Sequence, residues 1–568
     1  MTPIWPTGTQ HARCPVCALE AAHAIAVEIP AESSPIRFLR CPACATVFTS
    51  GTLPPSYESD GPLDETVQYY VEQLAAIDTI VDPLFTLDRT RVRRYAEIGC
   101  SFGFALDFGH REFGWEVHGV DPSALAVAGG PLLGLPIETR YFTEDEPLPP
   151  PSADLLVASE VVEHVADPHA FMRALAASLT PEGVLVLSTP NAAAVHPDTP
   201  HGALMQVLCP GYHLLLLTTA GLRRLVEAHG FRHHHVRETP TGLTIFAGRQ
   251  PFAWEPEGRT DRAAYVRYLQ GRLAGASPGS ALECGMLYRL LREHAAFAQW
   301  TEAEALTPRI IAAYARRGVD LLQPGACRPA CAPDASFTEF ARRHPMNVGG
   351  VLFALGMVAM LHREDGPLAA ALFDAAAAWL GAVRRVLAGF GTTDAESDEF
   401  ELRATEHAMV LTARTDQAAA VARLDAMLNG NSAVDGGYAA RCRVLLFIEL
   451  VNAGDHAHAS ALHAAAVAGS DADAVLDTKR LLALGIHALN GRADPADARR
   501  WLGAALAAPA AAPADPVLAD LGRAAAAALQ VALPEAARAP PRSAPPRPAP
   551  RWPAWLRRRL APAGQDRE

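Results

Sequence analysis

Lysine is nearly missing from this chain. Among 49 basic residues only Lys479 is a lysine, and the rest are arginine. Positive charge as a whole is in deficit, because 62 acidic residues leave a net charge of −13. Proteins that hold nucleic acid broadly need a basic footprint, so no nucleic-acid partner is expected. The N-terminal stretch has no basic start followed by an apolar run, so no secretory signal is expected. The longest apolar window, Val348 to Leu361, is shorter than the ~20 residues a bilayer span requires. A cytoplasmic location is the resulting expectation. Without an export signal, the ten cysteines point to metal rather than to disulfides.

What is plentiful is apolar surface, at 50% of residues against 20% charged. That composition is globular, and 568 residues imply two or three domains, since one core rarely grows past ~250–300 residues. Alanine is so abundant that alanine runs are weak evidence for any particular element.

The first half is organised around residues 94–121, RYAEIGCSFGFALDFGHREFGWEVHGVD. Tyr95 to Ile98 reads as a strand, Gly99 to Gly103 as a tight turn, and Phe104 to Phe113 as a helix. Trp115 to Val120 is a second strand, ending at Asp121. Strand, glycine turn, helix, strand and carboxylate make half of a doubly wound nucleotide-binding unit. Asp121 lies 22 positions after Gly99, near the ~20 such a unit uses. Glycine allows the sharp turn and close approach of a ligand; Ser101 stands where the middle glycine of G-x-G-x-G would be.

Further strands are expected at Asp154 to Ser159 and Val184 to Leu187, with helices over Pro168 to Leu179 and Thr218 to Gly230. Phe231 to Arg237 and Leu243 to Arg249 read as a closing antiparallel pair. The fourth strand runs into a polar E-x-x-E-H loop, Glu160 to His164, and the fifth ends at Ser188-Thr189-Pro190-Asn191. Ligands of open α/β sheets bind beyond the carboxyl ends of the strands. Gly99, Asp121, Asp145, Glu160 and Asn191 all fall at such ends, forming one rim. Glu144 or Asp145, after the third strand, is placed to meet an adenine amino group; the alternative is a solvated acidic loop. Residues 192–212 read as a long irregular loop, of the kind that is functional or mobile. The triplet His233-His234-His235 alternates faces in a strand, which favours a surface strand over a metal site.

Ahead of this lie Cys14-Pro15-Val16-Cys17 and Cys41-Pro42-Ala43-Cys44. Each pair can form a knuckle that aims two thiolates at one ion, and two knuckles give a four-cysteine zinc site with no open position, hence structural. The 23-residue gap is slightly longer than the usual ~15–20. A redox dithiol is the rival reading. Residues 54–63 form a Pro/Gly/Ser linker, and 64–94 read as helical with Val67, Tyr70, Val71, Leu74 and Ile77 on one face. That helix either covers a cofactor pocket or simply packs on the core.

Glu97-Ile98-Gly99-Cys100, Asp121, the Glu163-His164 loop and Ser188 to Asn191 together resemble a class I S-adenosylmethionine-dependent methyltransferase. Residues 11–250 are similar to members with an N-terminal zinc ribbon, a layout found among sugar C-methyltransferases. The resemblance implies contacts to the methionine part of the cofactor at Glu97, Gly99 and Gly103, and ribose binding by Asp121. In C-methylating members a loop histidine acts as base, and His213 falls in that loop. His164 matches the E-H motif and is the second choice; Tyr212 stands where an acid often precedes the loop histidine. A histidine with a pKa of about 6.5 suits proton removal near neutral pH, but either could equally be structural.

Beyond about residue 260 the periodicity is helical. Asp365, Asp416, Asp455 and Asp494 recur between apolar helices at steps of 51, 39 and 39, suggesting a tetratricopeptide-like or related solenoid; an irregular bundle is the alternative. Residues 534–568 are a Pro/Arg-rich tail unlikely to fold, whose Trp552 to Leu560 stretch offers a weak membrane-surface contact.

The fold expected is therefore an α/β Rossmann-like methyltransferase domain (64–250), preceded by a four-cysteine zinc module (11–50) and followed by an all-α domain (260–530). Its cofactors would be S-adenosylmethionine and structural zinc, and its partner a small-molecule, sugar-like acceptor. The helical half is available to a protein partner. Methyl transfer to oxygen or nitrogen of another metabolite, and a cofactor-binding scaffold without turnover, are the alternatives.

Overall fold

The computed structural model describes residues 2–31, 34–51, 56–57, 64–74, 77–148, 153–332, 334–430, 436–469, 474–507 and 516–532. The tail expected at 534–568 and most of the linker expected at 54–63 lie outside the described residues. The chain divides into two units, Met1–Tyr70 with Leu74–Gly271 and Val71–Gln73 with Arg272–Glu568.

Two sheets build the first unit. The smaller contains β1 (Thr9–Arg13), β2 (Glu20–Ile29), β3 (Ile36–Arg40) and β4 (Val47–Thr49). The larger contains β5 (Arg94–Ile98), β6 (Glu116–Val120), β7 (Ile137–Glu138), β8 (Ala153–Ser159), β9 (Leu179–Pro190), β11 (His233–Glu238) and β12 (Gly242–Gly248), and β10 is Leu215–Leu216. The larger sheet runs β11-β12-β9-β8-β5-β6-β7. Pairs from β7 through β9 are parallel, while β12 and β11 close the edge antiparallel. Leu155, Leu156 and Val157 of β8 are all buried, as a parallel strand covered on both faces requires. The chain leaves β5 towards β6 on one side and returns to β8 on the other. That reversal is the switch point where open sheets bind ligands, and the glycine turn sits on it.

The helix over Phe104–Phe113 starts after Gly103 and stops at Gly114, both left-handed with φ of 91° and 71°. The next helix, Ala124–Leu133, packs so close to the turn that a Cβ on Gly129 would lie 2.0 Å from the Phe102 carbonyl oxygen. Gly129→Ala therefore pushes backbone against backbone. We expect a loss of roughly 3 kcal/mol, at the upper end of ordinary overpacking, read as a lower denaturation midpoint with an unchanged slope.

Three local expectations fail. The single helix over 64–94 is broken into Asp64–Gln73, Ile77–Ile80 and Asp82–Phe85, because Leu74 turns left-handed at φ 43° and Pro83 cannot continue a helix from the preceding turn. Residues 192–212 are not irregular throughout: His201–Leu208 is a helix whose Leu204, Val207 and Leu208 are buried against Val27, Phe38 and Val47 of the smaller sheet. Nor does the cysteine segment stand apart. Strand β10 completes the smaller sheet by pairing with β4, Leu215 opposite Phe48. Cys14, Cys41 and Cys44 share one buried cluster with Ile98, Val120 and Leu187.

The second unit is helical. Val348–Leu361 pairs with Gly366–Gly389, Ala395–Thr412 with Gln417–Gly430, Gly436–Asn452 with His456–Ala468, and Ala474–Asn490 with Pro495–Ala507. First helices of successive pairs also touch, which is the stacking a solenoid uses. Asp365, Asp416, Asp455 and Asp494 each cap the second helix of a pair, accepting a hydrogen bond from the amide three residues on at 2.9–3.1 Å. The spacing seen in the sequence is thus a spacing of N-caps. Gly366–Gly389, at 24 residues, is long and apolar enough to cross a membrane, and more than half of its apolar window is buried inside the unit.

Candidate functional site

Beyond the carboxyl ends of β5, β6 and β8 lies a cavity of about 860 Å³. Gly99, Ser101, Asp121, Ser123, Phe142, Glu144, Glu160, His164 and Phe171 are among its lining residues. The turn that forms its floor is held by Asp121. One carboxylate oxygen accepts from the Ser101 amide at 2.7 Å, and the other from the Ser123 amide at 2.7 Å. Ser101 is thereby kept at φ 51°, a left-handed conformation that costs a side-chain-bearing residue ~1–2 kcal/mol. Glu160, also in the lining, sits at φ 54°. Strained residues of this kind gather at functional sites.

The expected cofactor residues divide. Gly99, Asp121, Glu144 and Glu160 line the cavity; Glu97, Gly103 and Asp145 are not among its lining residues. Glu97 lies buried below the turn, and its carboxyl, which accepts from the Tyr95 hydroxyl at 3.2 Å, is pushed up to about 8 by burial, with Asp121 adding to it. Glu144 is clamped by Arg173 through two bonds of 2.7 and 2.9 Å. Tyr70 packs its ring on Phe104 and Phe102 and is hydrogen-bonded to Ser101 of the cavity-lining turn.

Of the three expected catalytic residues only His164 is among the cavity-lining residues, and His213 and Tyr212 lie against it. His164 lines the cavity, and its ring is 4.8 Å from that of His213. Burial lowers His213, and burial followed by His213 lowers His164 to about 4, so both are neutral near neutral pH. Tyr212 contributes its carbonyl, 3.1 Å from His164 Nδ1, while its side chain is half exposed. Two neighbours were given no site role from sequence. Tyr57, inside the expected linker, places its hydroxyl 2.6 Å from His164 Nδ1. Glu163 is fully buried, with its carboxyl raised well above the ordinary range by burial and by Glu160. Its position in E-x-x-E-H was visible, but its burial was not. In the His233 to His235 triplet, His234 pairs with Glu227 and His235 stacks on Trp254.

At the other sheet, Cys14 and Cys44 sulfurs are 3.6 Å apart and those of Cys17 and Cys41 3.5 Å. All four fall within 4.8 Å of one another. Ala18 and Ala45, each following the second cysteine of a pair, are left-handed at φ 59° and 56°, so the two knuckles have the same backbone turn. The donor set and spacing fit a tetrahedral ion.

Residues 68–236 match a family described as a methyltransferase domain. This segment is a class I S-adenosylmethionine-dependent methyltransferase domain. Among curated proteins the chain is similar to the ubiquinone biosynthesis O-methyltransferases of Rhodopseudomonas palustris (strain HaA2) and Bradyrhizobium sp. (strain ORS 278). Identity is 37% and 40% over 102 residues, which is 17% of this chain and 40% of each relative. The chain thus spans well under half the length of the curated relatives it matches. Among solved structures it is similar to an S-adenosylmethionine-dependent methyltransferase from Mesorhizobium loti. That similarity is 20% identity over 31% of this chain and 99% of that one, with a TM-score of 0.26.

Proposed function

We propose that the chain transfers a methyl group from S-adenosylmethionine to an oxygen of a small-molecule acceptor. The observation that supports this most is Asp121, whose carboxylate stands in the cavity wall at the end of β6 beside the Gly99 turn. There it can accept from ribose hydroxyls while its main-chain bonds hold it still. Main-chain groups of Gly99 and Ser101 would face the methionine part, and Phe142 and Phe171 would cover apolar surface of the adenine. Bound S-adenosylmethionine supplies an electrophilic sulfonium methyl. The protein aligns an acceptor with it, and alignment contributes up to ~7–11 kcal/mol of barrier lowering. His164, neutral and at the cavity edge, is placed to take the acceptor proton. The oxygen acceptor is supported by the names of the curated relatives. A sugar acceptor methylated at carbon is the second reading, supported by the four-cysteine segment in front. Cys14, Cys17, Cys41 and Cys44 would hold a structural zinc.

Calorimetry with S-adenosylmethionine tests the carrying observation. Asp121→Asn keeps the side chain's size but removes its charge. Each charge-assisted bond contributes ~1.5–3 kcal/mol, so affinity should fall roughly 10- to 100-fold. Equal affinity in wild type and variant sinks the ribose assignment. Binding without turnover on any acceptor would leave a scaffold.

A further inference from the structure

We propose that Glu163, His164 and His213 form a binding site for a divalent transition-metal ion behind the cavity edge at which His164 lies. The three side chains come from two separate segments, the turn after β8 and the stretch before β10. Each offers one ligand atom, and those atoms lie within 4.8 Å of one another.

The second observation is an orphaned oxygen. Glu163 has no exposed surface. Its Oε2 accepts from the Thr189 hydroxyl at 3.1 Å, while Oε1 is buried without a donor among the described residues and the Glu160 carboxyl is hydrogen-bonded to the same group. His164 Nε2 lies 3.8 Å from that oxygen, too far for a hydrogen bond. Two carboxyls, those of Glu160 and Glu163, lie side by side here, the second fully buried, and a cation offsets the cost of holding their charge there.

The histidines are oriented as ligands. His213 Nδ1 lies 2.7 Å from the Val207 carbonyl, and His164 Nδ1 3.1 Å from the Tyr212 carbonyl. A carbonyl only accepts, so both protons sit on Nδ1 and both Nε2 lone pairs are free; the Tyr57 oxygen then accepts from the same His164 proton. Backbone carbonyls fix metal-binding imidazoles in this way. No hydrogen bond to either Nε2 is formed among the described residues. The rings cross at 76° rather than stacking. Two imidazoles and one carboxylate suit zinc, iron, cobalt or manganese, with positions left for a further oxygen ligand. Because His164 lines the cavity, that ligand would be an acceptor hydroxyl, whose ionisation the ion's charge would favour; with Nε2 taken by the ion, this replaces proton uptake by His164, a consequence that rests on the methyl-transfer reading, whereas the ion site itself does not.

Manganese separates this site from the thiolate cluster, because it prefers nitrogen and oxygen to sulfur ligands. Mn²⁺ is titrated into the full-length protein without S-adenosylmethionine or acceptor, and free ion is followed by electron paramagnetic resonance. Wild type should take up one equivalent per chain, weakened at least about tenfold in Glu163→Gln and in His213→Gln. His164→Gln carries the test if a variant fails to fold by circular dichroism. Absence of uptake by wild type overturns the proposal, and so does uptake that folded variants retain at wild-type affinity. Neither result touches cofactor binding, so the methyl-transfer reading stands or falls separately.

Discussion

Cys41→Ser is expected to unfold the whole of the first unit, not its first fifty residues alone. A free-standing zinc module would lose only itself. Here β4 pairs with β10, which lies between the His201–Leu208 helix and the Thr219–Glu227 helix of the methyltransferase half. Thr218 donates to the Cys44 carbonyl at 2.9 Å, and a His169 ring nitrogen lies 3.0 Å from the Val16 carbonyl. Leu39, Phe48 and three cysteines pack in the same cluster as Ile98, Leu187 and Leu222. Loss of the knuckles therefore opens the core beneath β5 and β9. A zinc ion held by the four cysteines would contribute, by the measure of small zinc peptides, about 10–16 kcal/mol at neutral pH, as large as the ~5–15 kcal/mol by which a folded domain is stable. Hydrogen exchange should rise in β5, β8 and β9 together with β1 to β4, and a chelator acting on wild type should reproduce the pattern. Faster exchange confined to β1 to β4 would show the segment to be separable after all.

This merging was illegible in the sequence because its carriers are short. Two residues, Leu215 and Leu216, complete the smaller sheet, and no periodicity resolves a two-residue strand. The apolar residues of His201–Leu208 were equally visible, but their target, the face bearing Val27, Phe38 and Val47, is fixed only by tertiary packing. By contrast the glycine turn, β5, β6, β8 and the closing pair are local. A continuous apolar run, a left-handed glycine or an alternating strand states its own geometry. The aspartate recurrence in the helical half was legible for the same reason, since an N-cap is satisfied within three residues. The site divides along that line. Asp121 and His164 follow directly from strand ends. Tyr57 and the orphaned oxygen of Glu163 depend on which loops meet, and that information is long-range.

Glu97 decides between a local motif reading and a burial argument, and pH is the instrument. The resemblance assigns Glu97 to the cofactor, yet it is 4% exposed and not among the cavity-lining residues. Its carboxyl is raised from 4.5 to about 8, burial being the main cause, so it is protonated in the folded protein at neutral pH. The unfolded chain releases that proton above about 4.5. Stability from this group is therefore complete below pH 4.5 and is lost as pH rises through 8. The change across the whole window is roughly 5 kcal/mol, from the 1.36 kcal/mol per pKa unit that links titration to folding. Glu97→Gln presents a neutral side chain of the same shape at every pH. Its denaturant midpoint should fall less than that of wild type between pH 6 and 9, the residual fall coming from groups such as Glu163, and it should bind S-adenosylmethionine as wild type does. A variant whose stability falls in parallel with wild type removes the titration argument. A variant that keeps its stability but loses the cofactor would return Glu97 to the binding site.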